Sequence, residues 1–270
     1  MFALHAPEVR TALDHILADR AYIDLDDLPQ DSALMTRTDR KYVLDPLSAA
    51  KALGSQPELV CVTVEERTSS AYESVYFDTP DLRTYHDAAH SRRHRFKVRT
   101  RTYLDSGTTL LEVKTKGGRG HTIKERIAVQ DHARNHLKQE ERRFVATTLE
   151  RSGVQEPDQL VANLIPSLTT RYRRSTLLGP DFSRITIDTD LACVRGERTS
   201  SHPRLVLIET KSEGHATNTD KALWRAGIRP VSISKYAAGL AELEPHLPAN
   251  KWHRVLGAPP LTHSVTHTAA

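Results

Sequence analysis

The residues best suited to chemistry in this 270-residue chain are Lys, Arg and a few Glu side chains placed at every second position of strand-like segments. A β-strand sends successive side chains to opposite faces, so such spacing collects one charge on one face. In 95–103, Arg95, Lys97, Arg99, Arg101 and Tyr103 share a face against Phe96, Val98, Thr100 and Thr102. In 110–116, Leu110, Glu112, Lys114 and Lys116 oppose Leu111, Val113 and Thr115. The same pattern sets Lys124 and Arg126 against Ile123 and Ile127, and Arg171 and Arg173 against Thr170, Tyr172 and Arg174. It recurs with Arg184, Thr186, Asp188 and Asp190 opposite Ile185 and Ile187, and with Leu207, Glu209 and Lys211 opposite Val206 and Ile208.

Any one of these strands reads equally well as an amphipathic strand with its charged face in water. Together they are harder to read that way, because the faces are heavily basic and recur far apart in the chain. A wet sheet so charged would repel itself. A closed barrel with the charged faces inward makes a lumen that polyanions neutralise. Arg grips phosphate oxygens with a planar fork, Lys adds a compact charge, and the few carboxylates could hold a divalent cation.

The elements needed to build such a lumen can be read along the chain. A helix is expected over 8–20, then an acidic linker over 24–31 and a strand over 40–44. A short helix starts at Asp45-Pro46, where proline suits the first helical turn. Strands follow over 59–65 and 72–77, then a hairpin of 95–103 and 109–116 around Asp105-Ser106-Gly107. A second turn at Gly117-Gly118-Arg119-Gly120 leads to 121–129. A polar helix spans 131–151 and a short one 159–165. Strands resume at 169–174, 184–191 and 205–211, with helices over 218–225 and 234–243. Segment boundaries fall at 1–35 (helix and linker), 36–245 (barrel domain) and 246–270 (a tail with little structure, packed through Trp252). The lack of regular βαβ alternation excludes a Rossmann or (β/α)₈ plan.

Bulk composition agrees with a folded chain: 38% hydrophobic, 27% charged and a net charge of +4. No basic-then-apolar leader and no eighteen-residue apolar run are present, so a cytoplasmic location without direct membrane insertion is expected. The cysteines, Cys61 and Cys193, lie in apolar strand contexts and read as buried small hydrophobes. His86, His90 and His94 have helical spacing but no matching acids, which suits surface residues better than zinc ligands. Aromatic content of 6% disfavours nucleic-acid stacking.

In order along the chain, Arg40-Lys41-Tyr42, Val75-Tyr76-Phe77-Asp78-Thr79, Lys97-Val98-Arg99-Thr100-Arg101-Thr102-Tyr103 and Leu111-Glu112-Val113-Lys114 resemble the triphosphate tunnel enzymes of the VTC domain branch. So do Thr170-Arg171-Tyr172-Arg173, Arg184-Ile185-Thr186-Ile187-Asp188, Ile208-Glu209-Thr210-Lys211 and Ser234-Lys235-Tyr236. The resemblance implies an α+β fold, an eight-stranded antiparallel β-barrel with helices packed outside. It also implies phosphate-binding roles for Lys41, Arg99, Arg101, Lys114, Arg171, Arg184 and Lys235. Lys116, Lys124, Arg126, Arg173 and Lys211 would extend the lining. Glu209, with Glu112 beside it, would bind Mn²⁺ or Mg²⁺.

The first strand departs from the Glu-x-Glu-x-Lys of many tunnel enzymes. Arg37-Thr38-Asp39-Arg40-Lys41 has only Asp39 as carboxylate, closer to the polyphosphate polymerase branch. The implied activity is transfer of the ATP γ-phosphate to a growing polyphosphate chain. Hydrolysis of a triphosphate and simple polyphosphate binding remain open on the residues alone. Export of the product would need a separate membrane partner.

Overall fold

The computed structural model describes residues 13–28, 38–116, 122–257 and 265–267. The expected turn at 117–120, the start of the first helix, Arg37 of the first-strand motif and residues 258–264 and 268–270 of the tail lie outside them. The main strands are β2 (Thr38–Leu44), β4 (Ser70–Asp78), β5 (Phe96–Tyr103), β6 (Thr109–Lys116) and β7 (Thr122–Val129). With them run β8 (Ile165–Leu178), β9 (Arg184–Arg195) and β11 (Val206–Ser212). Short strands β1 (Tyr22–Asp24), β3 (Val60–Thr63), β10 (Arg198–His202) and β12 (Val265–His267) join the same sheet.

Backbone pairing orders the main strands β2-β11-β9-β8-β4-β5-β6-β7, each pair antiparallel. This is the eight-stranded antiparallel arrangement expected from the alternating faces, strongly curled into a tunnel-like form. The edges β2 and β7 are not paired to each other among the described residues. Next to Lys41, the β2 edge instead accepts a hydrogen bond from Val231 N at 2.7 Å. Among the described residues the one parallel pair is β1 with β3, off the main path.

Helices cover the convex side as the apolar faces require. The helical residues 13–18 (α1), α2 (Pro46–Gly54) and α6 (Asn218–Arg225) bury Leu13, Leu17, Leu53 and Leu223 against Leu177, Ile185, Ile187 and Ile208. Asp45 caps α2 by accepting from Ser48 N at 3.0 Å. On the other half, α4 (Gln139–Arg151) and α5 (Pro157–Ala162) pack Val145, Leu149 and Val161 on Val75, Val98, Leu111 and Val113. The helix expected over 131–151 thus begins later, at Gln139, after a 3₁₀ turn at Asp131–Arg134. The helix expected over 159–165 is α5 instead, and Ile165 and Pro166 open β8. Pro166 is tolerated there because the β4–β8 register shifts beside it, between Tyr76 and Phe77, and proline suits a bulge. Both cysteines are buried, as expected.

Two helices depart from the outside arrangement. α7 (Lys235–Leu243) lies with α3 (Arg83–Ala89) against the concave face, where Tyr236 and Leu240 meet Tyr76, Leu168, Tyr172 and Leu207. Close approach depends on Gly239, where an added Cβ would stand 2.6 Å from Cys193 Sγ. The α7 N-terminus, capped by Ser234, delivers Lys235 into the lumen. Trp252 of the C-terminal segment is buried in the same cluster.

A buried carboxylate fixes this inner layer. Asp78 accepts from Thr79 N, Thr84 N and Thr84 Oγ1, each at 2.8 Å, from Tyr85 N at 3.0 Å, and from Tyr236 OH. It thereby holds the end of β4, the first turn of α3 and the first turn of α7 together. Removing it would leave several buried donors unsatisfied, each costing about 1–3 kcal/mol. Asp78→Ala is therefore expected to lower the unfolding free energy by at least ~3 kcal/mol in urea denaturation.

Candidate functional site

Strand register decides which side chains face the lumen. Tyr76 pairs with Arg99 and Ser74 with Arg101, so β4 sends Tyr72, Ser74 and Tyr76 inward beside the basic row of β5. Arg99 pairs with Glu112 and Lys97 with Lys114 across to β6, and Lys114 with Lys124 across to β7. On the other side, Lys41 pairs with Glu209, Glu209 with Thr186 and Lys211 with Arg184. The lumen therefore gathers Lys41, Arg99, Arg101, Lys114, Lys116, Lys124, Arg126, Arg184, Lys211 and Lys235 with Glu112 and Glu209. These are twelve of the fourteen residues expected from sequence.

Arg171 and Arg173 are not brought there. In register with Glu73 and Ala71 they stand on the convex face. Arg171 Nε donates to Glu73 at 2.7 Å and is 62% exposed, while Arg134 holds the other Glu73 oxygen at 2.9 Å. The inward position belongs to Arg174. Counting back in twos from Leu177, which is buried in the outer core, puts 175, 173 and 171 outside and 174 inside.

Three carboxylates in the lumen are each clasped by two cations. Glu112 takes Arg99 Nη2 at 2.6 Å and Lys124 Nζ at 2.5 Å. Asp188 takes a bidentate fork from Arg174, at 2.6 and 2.8 Å, together with Lys235 Nζ. Glu209 lies 3.3 Å from Lys41 Nζ and 3.4 Å from Lys211 Nζ. Burial would raise their pKa values, but the adjoining cations hold all three well below the usual carboxylate range.

Other cations have no such partner. Lys97, Arg101, Lys114 and Arg126 form no ion pair among the described residues. Arg101 Nε, Ser74 Oγ, Thr170 Oγ1 and Tyr172 OH are buried polar atoms without a hydrogen-bond partner, and all sit on inward positions of adjoining strands. Arg101 and Arg174 both lie over the Tyr72 ring, 5.6 Å from its centroid, and Lys235 lies 4.3 Å from that of Tyr172. Burial alone would raise the Tyr172 pKa, yet Arg101, Arg174 and Lys235 bring it below its ordinary value.

Lys97 feels the same field most strongly. Burial, then Lys114, Lys41, Arg99 and Lys251, lowers its pKa to about 7. Burial also lowers Lys124, to about 8, against the pull of Glu112. Both ammonium groups gain from a polyanion placed among them, which is the chemistry of a phosphate-chain site.

Lys97, Arg174, Asp188, Tyr72 and Tyr172 were missing from the expected set. Lys97 was readable, since it shares the parity of Arg99 and Arg101. The tyrosines were not readable, because only the β4–β8 register stacks Tyr72 on Tyr172, with centroids 5.3 Å apart. His86 and His90 stack at 6.1 Å on the outside of α3, and His94 Nδ1 meets Ser152 O at 3.3 Å. Among the described residues no group of three or more His, Cys, Asp or Glu could hold a metal ion. A Mg²⁺ or Mn²⁺ ion commonly uses one or two carboxylates and completes its shell with substrate phosphates and water. Glu209, facing the lumen and 15% exposed, suits such a shared site.

A curled antiparallel sheet with a basic, partly unpaired interior, lined by α3 and α7 along β4, β8, β9 and β11 only, defines a triphosphate tunnel domain. The chain belongs to the VTC domain family, whose model matches residues 31–244. No curated protein matches it. Similar solved structures are distant. HpAC1 from Hippeastrum, described as having a dominant triphosphatase activity, is 16% identical, with 85% of this chain and 100% of that one covered and a TM-score of 0.46. PH1819 from Pyrococcus horikoshii OT3 is 10% identical over 77% and 99% of the two chains, TM-score 0.44. The inorganic triphosphatase NE1496 is 12% identical over 70% and 80%, TM-score 0.29.

Two outcomes follow from the placement and the field. Arg101→Ala should weaken tripolyphosphate binding about tenfold or more, ~1.4 kcal/mol, in calorimetry. Arg171→Ala, on the far face, should stay within about twofold. For pH, the protonated form of Lys97 is the one that binds phosphate. Free protein loses that proton near pH 7, so binding above it must take a proton up, and affinity must fall as pH rises. Tripolyphosphate titrations in buffers of different ionisation enthalpy should show proton uptake at pH 8, reduced in Lys97→Met.

Proposed function

We propose that this domain is a polyphosphate polymerase, transferring the γ-phosphate of ATP to the end of a polyphosphate chain held in the tunnel. The observation that carries this reading is the state of the lumen carboxylates. Glu112, Asp188 and Glu209 are each bound to two cations and held strongly ionised. Such groups are poor general bases, whose pKa should lie near the working pH to draw a proton from water. A terminal phosphate oxygen is already ionised and needs no base. The arrangement therefore favours phosphate over water as acceptor.

In this reading ATP lies with its triphosphate among Arg99, Arg101, Lys114 and Arg174. A terminal oxygen of the chain forms a bond to the γ-phosphorus while the bond to the β-phosphate bridging oxygen breaks, and ADP leaves with that electron pair. Lys41, Lys97, Lys211 and Lys235 balance charge on the transferring group, positioned before the reaction by the strand scaffold. Glu209 would hold Mn²⁺ or Mg²⁺ together with the phosphates, releasing Lys41 and Lys211 toward them. The cation would add neutralising charge on the phosphoryl oxygens. Glu112 keeps Arg99 and Lys124 aimed into the lumen. Lys116, Lys124, Arg126 and Arg184 extend the lining along the chain's path.

No helix among the described residues is long and apolar enough to cross a membrane. If the product is exported, a separate membrane protein would supply the channel, and the domain would work at the cytoplasmic face beside it.

Purified protein incubated with ATP and Mn²⁺ should yield ADP and long-chain polyphosphate. ADP with equivalent free phosphate and no chains would mean hydrolysis, and no turnover with any primer or metal would mean a binding module. Arg101→Ala and Glu209→Ala should each reduce chain synthesis at least ~100-fold, since each removes charge stabilisation in an enclosed site. His90→Ala, outside the barrel, should leave it unchanged.

A further inference from the structure

The basic row of β5 does not stop at the barrel rim. Odd positions of the strand point inward, about 7 Å apart. Arg95 is the next odd position after Lys97, one step outside the strand, and its carbonyl accepts from Lys116 N at 3.0 Å. Among the described residues the Arg95 guanidinium donates only to carbonyl oxygens, Arg92 O at 2.7 Å and Ser91 O at 3.5 Å, and meets no carboxylate. Lys251 arrives from the C-terminal segment, its Nζ tied to Ala88 O and Ser91 Oγ, both at 2.9 Å. Lys251 is near enough to Lys97 and to Arg95 for their charges to act on one another. Arg92 and Arg93 are exposed and follow Ser91 directly in the chain, and the run from His90 to Lys97 contains no acid.

We propose that Arg92, Arg93, Arg95 and Lys251 form a surface track that continues the tunnel and binds the part of a polyphosphate chain extending beyond it. This rests on the phosphate-chain reading of the lumen and adds where the emerging chain runs. The features pointing to a flexible polyanion are continuity with the lumen row and two cations, Arg95 and Lys251, held by carbonyl and hydroxyl oxygens rather than carboxylates. A short triphosphate would be held inside and would not reach the track. A long chain would release counterions along it.

The test compares tripolyphosphate with long-chain polyphosphate, binding each to wild-type protein, to Arg92→Ser/Arg93→Ser, and to Lys251→Gln, which keeps a donor toward Ala88 and Ser91. Lys221→Ser/Arg225→Ser on α6 serves as a control of equal charge loss. The track predicts tighter binding of the long chain by wild type, and a loss of about tenfold in that affinity in the Arg92/Arg93 variant, with tripolyphosphate within about twofold. Lys251→Gln should shift the same way by a smaller factor. Equal losses in the control, or equal losses for both ligands, would overturn it. So would wild type binding tripolyphosphate with no gain from chain length, which leaves the lumen reading standing. Failure to bind either ligand would remove both. Loss of binding to phosphatidylglycerol vesicles with chain-length preference intact would assign the patch to a lipid surface and overturn the track.

Discussion

Positive charge enclosed on the concave face of one sheet is the constraint on which the rest of this structure depends. Cations do not enter a low-dielectric interior without compensation. Here compensation is partial. Glu112, Asp188 and Glu209 each anchor two cations, while Lys97, Arg101 and Lys114 have no ion pair among the described residues. The uncompensated charge appears in the pKa of Lys97, brought down to about 7 by burial and by its basic neighbours. Such an arrangement costs stability in the free protein and is repaid by binding a polyanion. That difference between the free and bound states is what a site for phosphate chains requires.

Holding like charges together demands a stiff frame. The convex face supplies it through two apolar layers, one around Leu53, Ile187 and Ile208 and one around Val98, Leu111 and Val145. Buried carboxylates pin the helices that the frame does not grip by apolar contact alone. Asp78 ties α3 and α7 to β4. Asp220 accepts from Tyr42 OH at 2.6 Å, Thr210 Oγ1 at 2.7 Å and Thr217 N at 2.8 Å, tying α6 to β2 and β11. Gly239 lets α7 settle on β9 so that Lys235 reaches Asp188. The scaffold thus fixes the lumen before any ligand arrives, and little reorganisation is left for binding.

Much of this was legible in the sequence because the strand period is two. The rows Arg99–Arg101, Glu112–Lys114 and Glu209–Lys211 each identify an inward face without knowledge of their partners. The hairpin around Asp105-Ser106-Gly107 and the helix start at Asp45-Pro46 were readable for equally local reasons. Parity failed where a strand carries basic residues on both faces: Arg171, Arg173 and Arg174 are adjacent in type, and only the register with Glu73 and Ser70 separates them. The inward placing of α7 was hidden too, since its apolar residues, such as Tyr236 and Leu240, would suit either side of the sheet. Tyr72 and Tyr172 gain their roles from a stacking that exists only after β4 and β8 pair.

The central claim is that the lumen is incomplete without a phosphate chain, and the melting temperature tests it most directly. At fixed ionic strength and a ligand concentration near 100 Kd, a ligand bound only by the folded state adds about 2.7 kcal/mol. For a chain of this size, that is a rise of roughly 5–10 °C. Tripolyphosphate is predicted to produce such a rise, and citrate at matched ionic strength is not. An unchanged melting temperature with tripolyphosphate, or an equal rise with citrate, would contradict the account.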